Sequence, residues 1–274
     1  MKLFASSIVV ASSFVALAFA SGAARAADPC GDLAQAVATL KSDDRFQAAA
    51  DLFSAARLGC EKEAEALLDR GAAIDARDRD GKTALARAAE AGKPRLVKLL
   101  LDHGADPNAR AVDGSTPLYL AAQADRPQAV SLLIGRGADP NIAGRSGEWP
   151  LAAAAYNGSA DTAALLLKHG ADPNALDDDG KGAMVYAAGR ADAPIVALLI
   201  AAGVDVNRRY GHGLTALMWA AGHDTSAGSA DVEATLKLLI ERGAARDLKD
   251  DRGRAAAAIA RGLGREREAK TLEE

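Results

Sequence analysis

The chain repeats itself at a fixed interval, and that interval limits its fold more than any other feature. Gly81, Gly114, Gly147, Gly180 and Gly213 stand 33 residues apart. A second ladder, Gly71, Gly104, Gly137, Gly170 and Gly203, has the same spacing. Each ladder then takes one step of 40, to Gly253 and Gly243 respectively, so seven residues are inserted once, around His223 to Ala230. A period of this size means one supersecondary unit per repeat. No unit can bury its apolar face alone, so neighbours must stack.

Within a unit the local signals read as two helices. Asp113-Gly114-Ser115-Thr116-Pro117-Leu118 gives a turn, a threonine N-cap and a proline at the first helical position, where its missing N–H costs nothing. Ala121-Ala122 closes this short first helix with side chains small enough for close helix approach. Pro127 opens the second helix, Val130, Leu132, Leu133 and Ile134 form its apolar side, and Gly137 ends it. Ala138-Asp139-Pro140-Asn141 leads into a loop. Composition agrees, because alanine makes up roughly a quarter of the chain and aromatics only 4%. A core of small side chains favours helices over sheets.

These residues resemble the ankyrin repeat family. Thr116-Pro117-Leu118, the GADPN runs at 104–108, 137–141 and 170–174, and GVDVN at 203–207 match its pattern. So do the leucine triplets at 99–101 and 165–167. The resemblance implies an all-α solenoid of antiparallel helix pairs with β-hairpin-like finger loops. It also implies protein binding through the finger tips and the exposed face of each first helix, without catalysis. The sequence departs from the family in places. Its histidine after the Thr-Pro-Leu motif is replaced by Ala86, Tyr119, Ala152, Val185 and Met218, so the hydrogen bonds it makes between repeats are expected to be lost. Trp149 and Gly182 replace the capping threonine that is kept at Thr83, Thr116 and Thr215.

The expected organisation is a leader over 1–26, a capping helix region over 27–47, and repeats over 48–262. The repeats are a degenerate unit 48–77, full units 78–110, 111–143, 144–176 and 177–209, the expanded unit 210–249, and a partial unit 250–262. Residues 263–274 form a charged cap, with Arg265-Glu266-Arg267-Glu268 facing outward. In the leader, Lys2 precedes an apolar stretch from Ile8 to Ala20, and Ala24-Arg25-Ala26 marks cleavage before Ala27. A cut after Ala20 and an uncleaved anchor are the alternatives. The leader predicts export to a periplasm or, alternatively, secretion. No other apolar run is long enough to span a bilayer, so no membrane partner is expected after cleavage.

Export places Cys30 and Cys60 in an oxidising compartment, where they are expected to form a disulfide. The alternative is two buried free thiols. Closing a loop of this length contributes roughly 3.7 kcal/mol as an upper figure. Two cysteines are too few for a cysteine zinc site.

Catalytic and metal motifs are missing from the sequence. His103 and His169 recur before capping glycines, where a histidine suits the helix dipole. His212 falls in a finger tip and His223 at a helix end, without further ligands. Asp177-Asp178-Asp179 lacks the loop and distal glutamate of an EF-hand. Neither cofactor nor metal is expected. A net charge of −4 without a basic block argues against nucleic acid as a partner. The expected partner is protein, bound by a monomer. Arginine and tyrosine are common interface anchors, so the candidate binding residues are Arg79, Arg145, Tyr156, Asn157, Arg190, Tyr210 and His212. A narrower expectation is an immunity-type inhibitor of a toxic exported enzyme.

Overall fold

Each repeat folds as two short antiparallel helices because its apolar positions fall at helical spacing between two tight turns. The computed structural model describes residues 28–41, 44–222 and 229–274. The leader 1–26 and its cleavage point lie outside the described residues, as do His223 and the rest of 223–228. At the front, α1 (Gly31–Thr39) lies on α2 (Arg45–Leu58) and α3 (Glu61–Asp69). Four pairs follow: α4 (Ala84–Glu90) with α5 (Pro94–Asp102), α6 (Pro117–Gln123) with α7 (Pro127–Ile134), α8 (Pro150–Asn157) with α9 (Ala160–Lys168), and α10 (Ala183–Gly189) with α11 (Ala193–Ala201). The expanded unit contributes α12 (Ala216–Gly222) and α13 (Ser229–Glu241), and the chain ends in α14 (Ala256–Gly262) and α15 (Glu266–Glu273). Even-numbered helices from α2 to α14 stack in one row and odd-numbered helices from α3 to α15 in the other. No helix among the described residues is long and apolar enough to cross a membrane.

The core follows the period. Leu67, Leu100, Leu133, Leu166, Leu199 and Leu239, at equivalent positions, are each 0% exposed. The alanine pairs 88–89, 121–122, 154–155, 187–188 and 220–221 are buried between first helices, where larger side chains would push the rows apart. Second helices end where a glycine enters the left-handed region. Gly137 (φ 87°) lets the Ala138 N–H reach back to the Leu133 carbonyl at 3.0 Å. The described turns between paired helices also need positive φ. Gly59, Gly92 and Gly158 supply it, but Asp125 (φ 51°) and Ala191 (φ 58°) stand at the equivalent position in two repeats.

The fingers are not β-hairpins. No β-strand occurs among the described residues. At the base of a finger one bond closes the loop, as from the Ala111 N–H to the Ser115 carbonyl at 2.9 Å. Aspartate side chains then take donors that a strand ladder would use. Asp78 Oδ1 accepts from the N–H groups of Asp80 and Lys82, and Asp177 Oδ1 from those of Asp179 and Lys181. Tips instead bond to a neighbouring finger, Val112 N–H to the Asp80 carbonyl and Asp178 N–H to that of Ser146.

Asparagines link the repeats on the loop side. Asn108 donates to the Gly137 carbonyl and accepts from the Asp139 N–H. Asn141 does the same to Gly170 and Asp172, and Asn207 to Gly243 and Ala245. The rung between them differs: Asn174 accepts instead from Arg208, through both its backbone and side-chain oxygens at 3.0 Å.

Cys30 and Cys60 are joined as a disulfide with their Cα atoms 5.5 Å apart. Cys60 caps α3 at the turn after α2, so the bridge fastens α1 to the first helix pair. Arg70 adds a bond from its guanidinium to the Val37 carbonyl. At the other end Ala269 and Leu272 bury the inner side of α15. Glu268 is only 7% exposed, so of the four charged residues expected to face outward it turns inward instead.

Candidate interaction surface

The surface that could hold a partner is built where α8, α10 and α12 lie side by side. Tyr156, at the end of α8, is 56% exposed. Its ring meets that of Tyr186 edge to face, with centroids 5.8 Å apart. Tyr186 on α10 is oriented by its hydroxyl, which donates to Asp177 Oδ2 at the base of its own finger. Trp219 stands at the equivalent position of the next first helix. These three aromatics, with Val185 and Gly189, line an open cleft of about 170 Å³. Lys181 and Arg190 complete its rim. Lys181 is 3.3 Å from Asp179, whereas Arg190 has no ion pair within 4.0 Å among the described residues. Trp219 also walls a second cleft of about 190 Å³, beside His212, Leu214 and Asp250.

The other candidates fall into two groups. Arg79, Arg145 and His212 are exposed on finger tips, and Asn157 is exposed beside Tyr156, donating to the Gln123 carbonyl. A Cβ placed on Gly158 would lie 3.5 Å from Arg190 Nη2, so Arg190 reaches back toward the end of α8 and Asn157. Tyr210 differs. It is 7% exposed, its ring lies near Gly182, and Arg208 sits 5.5 Å above it. The ring lies between fingers, beside Gly182, which stands where Thr83, Thr116 and Thr215 cap other repeats. Burial raises the Tyr210 pKa to about 12. Tyr210 is therefore a packing residue.

Sequence reasoning missed Tyr186, Trp219 and Lys181 as a group. Aromatics inside first helices read as core, although Tyr186 and Trp219 stand 33 apart and so must be neighbours. It also expected too little from Tyr119. This residue replaces the family's histidine, yet its hydroxyl donates to Glu148 Oε2 at 2.6 Å, across to the next repeat. Burial and this carboxylate raise the Tyr119 pKa well above the usual tyrosine range. Burial, with the Asp177 charge nearby, raises that of Glu148, against the Tyr119 hydrogen bond. Tyr186 is raised in the same way, by burial and by Asp177.

Among the described residues one group could gather metal ligands, Cys30, Cys60 and Glu63, and its two sulfurs are bonded to each other. Asp177 likewise has both oxygens occupied by hydrogen bonds.

A family model described as ankyrin repeats, in three copies, matches residues 52–144, 88–177 and 151–250. The chain belongs to the ankyrin repeat family. Ankyrin repeats are a non-catalytic protein-interaction module, so this ankyrin-repeat chain is a binding protein and not an enzyme. Comparison with curated proteins gave no match.

Proposed function

We propose that this is an exported ankyrin-repeat protein that holds a partner protein across its finger tips and first-helix face, centred on repeats 144–176 and 177–209. The observation that carries this reading is the pairing of exposed Tyr156 with Tyr186 beside an unpaired Arg190, on the side where first helices and fingers meet. Aromatic and arginine side chains in one desolvated patch are the usual anchors of an interface. Arg79, Arg145 and His212 extend the surface along the finger tips, and Asn157 along the end of α8. The leader supports export to a periplasm, and the protein acts as a rigid scaffold in which no bond is made or broken.

Affinity purification from the exported fraction with mass spectrometry identifies the partner. Replacing Arg145, Tyr156 and Arg190 together by alanine is expected to abolish its capture, since each anchor is worth about 2 kcal/mol or more. The melting temperature stays nearly unchanged, because all three side chains are exposed. Lys168 and Glu241, exposed on the second helices, are the controls. If changes at Lys168 and Glu241 prevent capture while the triple variant retains it, the partner binds the opposite face.

A further inference from the structure

Resting on that reading, we infer that the cleft between Tyr156 and Trp219 takes a specific chemistry from its partner: an apolar side chain with a carboxylate immediately beside it. The walls select the apolar group. Tyr156, Tyr186 and Trp219 present three rings over the small residues Val185 and Gly189, in a space of about 170 Å³ that suits one large side chain. Aromatic walls alone would equally suit a cation. The rim argues against it, because Arg190, which has no ion pair among the described residues, lines the same space and would repel positive charge.

Asp192 comes nearest to Arg190: its Oδ2 and Arg190 Nη2 lie 3.1 and 3.5 Å from one point beside Gly158, yet no ion pair within 4.0 Å joins them among the described residues, and its Oδ1 caps α11. The other nearby acids are engaged. Asp177 accepts from the Tyr186 hydroxyl and from two backbone N–H groups. Asp179 faces Lys181, and Glu148 accepts from Tyr119. Arg190 is the cleft's charged group without an ion pair among the described residues. Its planar guanidinium matches a carboxylate with two parallel hydrogen bonds, which a lysine cannot reproduce. An Asp or Glu side chain of the partner protein, next to an aromatic or large aliphatic residue, supplies both groups.

Selection of linear peptides from a random display library on the immobilised protein tests this without knowing the partner. The enriched peptides should carry an aromatic or large aliphatic residue next to an acidic one; enrichment only of a free C-terminal carboxylate would overturn this. A synthetic peptide of that pattern should lose about tenfold or more in affinity to Arg190→Glu and to Tyr156→Ala, the scale of one charge-assisted hydrogen bond or one anchor. Arg190→Lys should recover only part of the loss. Enrichment of Lys- or Arg-bearing peptides, binding indifferent to Arg190→Glu, or no enrichment at all overturns the inference. The wider reading is judged separately. A native partner that is lost with the triple alanine variant but places no carboxylate at Arg190 keeps the surface and removes the chemistry.

Discussion

Repeats 111–143 and 177–209 share one length and one helical plan but are held together by different means. In the first, Thr116 caps α6 by accepting from the Tyr119 N–H at 3.1 Å, and Pro117 presets the helix start. Tyr119 then ties the unit to its neighbour through Glu148, and Asn108 and Asn141 form the rungs on either side. In the second, α10 begins at Gly182 with no side-chain cap, and the rung at Asn174 is diverted to Arg208. Ala191 holds a left-handed turn that glycine would hold more easily. Asp192 does cap α11, so the weakness lies in the first helix and its turns. That same helix supplies Val185, Tyr186 and Gly189 to the cleft, with Arg190 just beyond its end. Of these two repeats, the less reinforced one carries the proposed binding surface. Under the proposed function, local rules give way where the surface serves another molecule.

The largest effect that probes this difference comes from the core. Leu133→Ala and Leu199→Ala remove equivalent side chains, both fully buried, and each should cost about 3 kcal/mol. In a linear array the two losses should look different. Leu133→Ala lowers the midpoint of one denaturation transition, whereas Leu199→Ala splits the transition, with 177–209 opening first. Identical single transitions by circular dichroism and Trp fluorescence would make the two repeats equivalent.

The turns give a smaller contrast. Ala191→Gly should stabilise by about 0.5–1 kcal/mol, after allowing for its buried methyl group, because an L-alanine at φ 58° is strained. Asp125→Gly, at the same place in the firmer repeat, should change stability by less than about 0.5 kcal/mol. Aspartate tolerates this conformation and accepts from the Thr162 hydroxyl at 3.4 Å. Equal gains from both, measured by denaturant titration, would remove backbone strain from the comparison.

Alkaline pH should act more weakly still, and on both repeats. Tyr119 and Tyr186 have pKa values raised by burial and by their carboxylate partners. Above about pH 10 the unfolded chain sheds phenolic protons that the folded chain keeps, so stability is intact below that value and falls as pH rises. Tyr186→Phe should flatten this dependence while keeping the ring in place. A stability profile that is level or rising above that pH contradicts the assignment.

Much of the architecture could be read from the chain because each signal was local and recurred. The capping glycines, Thr116 with Pro117 and the alanine pairs are where periodicity put them, and Cys30 with Cys60 bridges the front cap. The finger geometry could not be read so. Whether Asp78 or Asp177 bonds its own loop or leaves the donors for a strand partner is decided by side-chain competition, not by spacing. The candidate surface was half readable: Tyr156 and Arg190 follow from their register, while the burial of Tyr210 between fingers is set by tertiary packing that spacing does not show. Tyr186 and Trp219 share a register position, and that was the available signal for the cleft. Arg87, Leu120 and Ala153, the equivalents in earlier repeats, show that the aromatic pair is peculiar to this part of the array.

Native-state amide exchange followed by mass spectrometry compares the two repeats without altering either. The account predicts faster exchange in 181–190 than in 115–124, with Ala191→Gly narrowing the gap. Exchange in 181–190 that is as slow as in 115–124, or slower, would contradict the claim that the proposed binding surface rests on the softer of these two repeats.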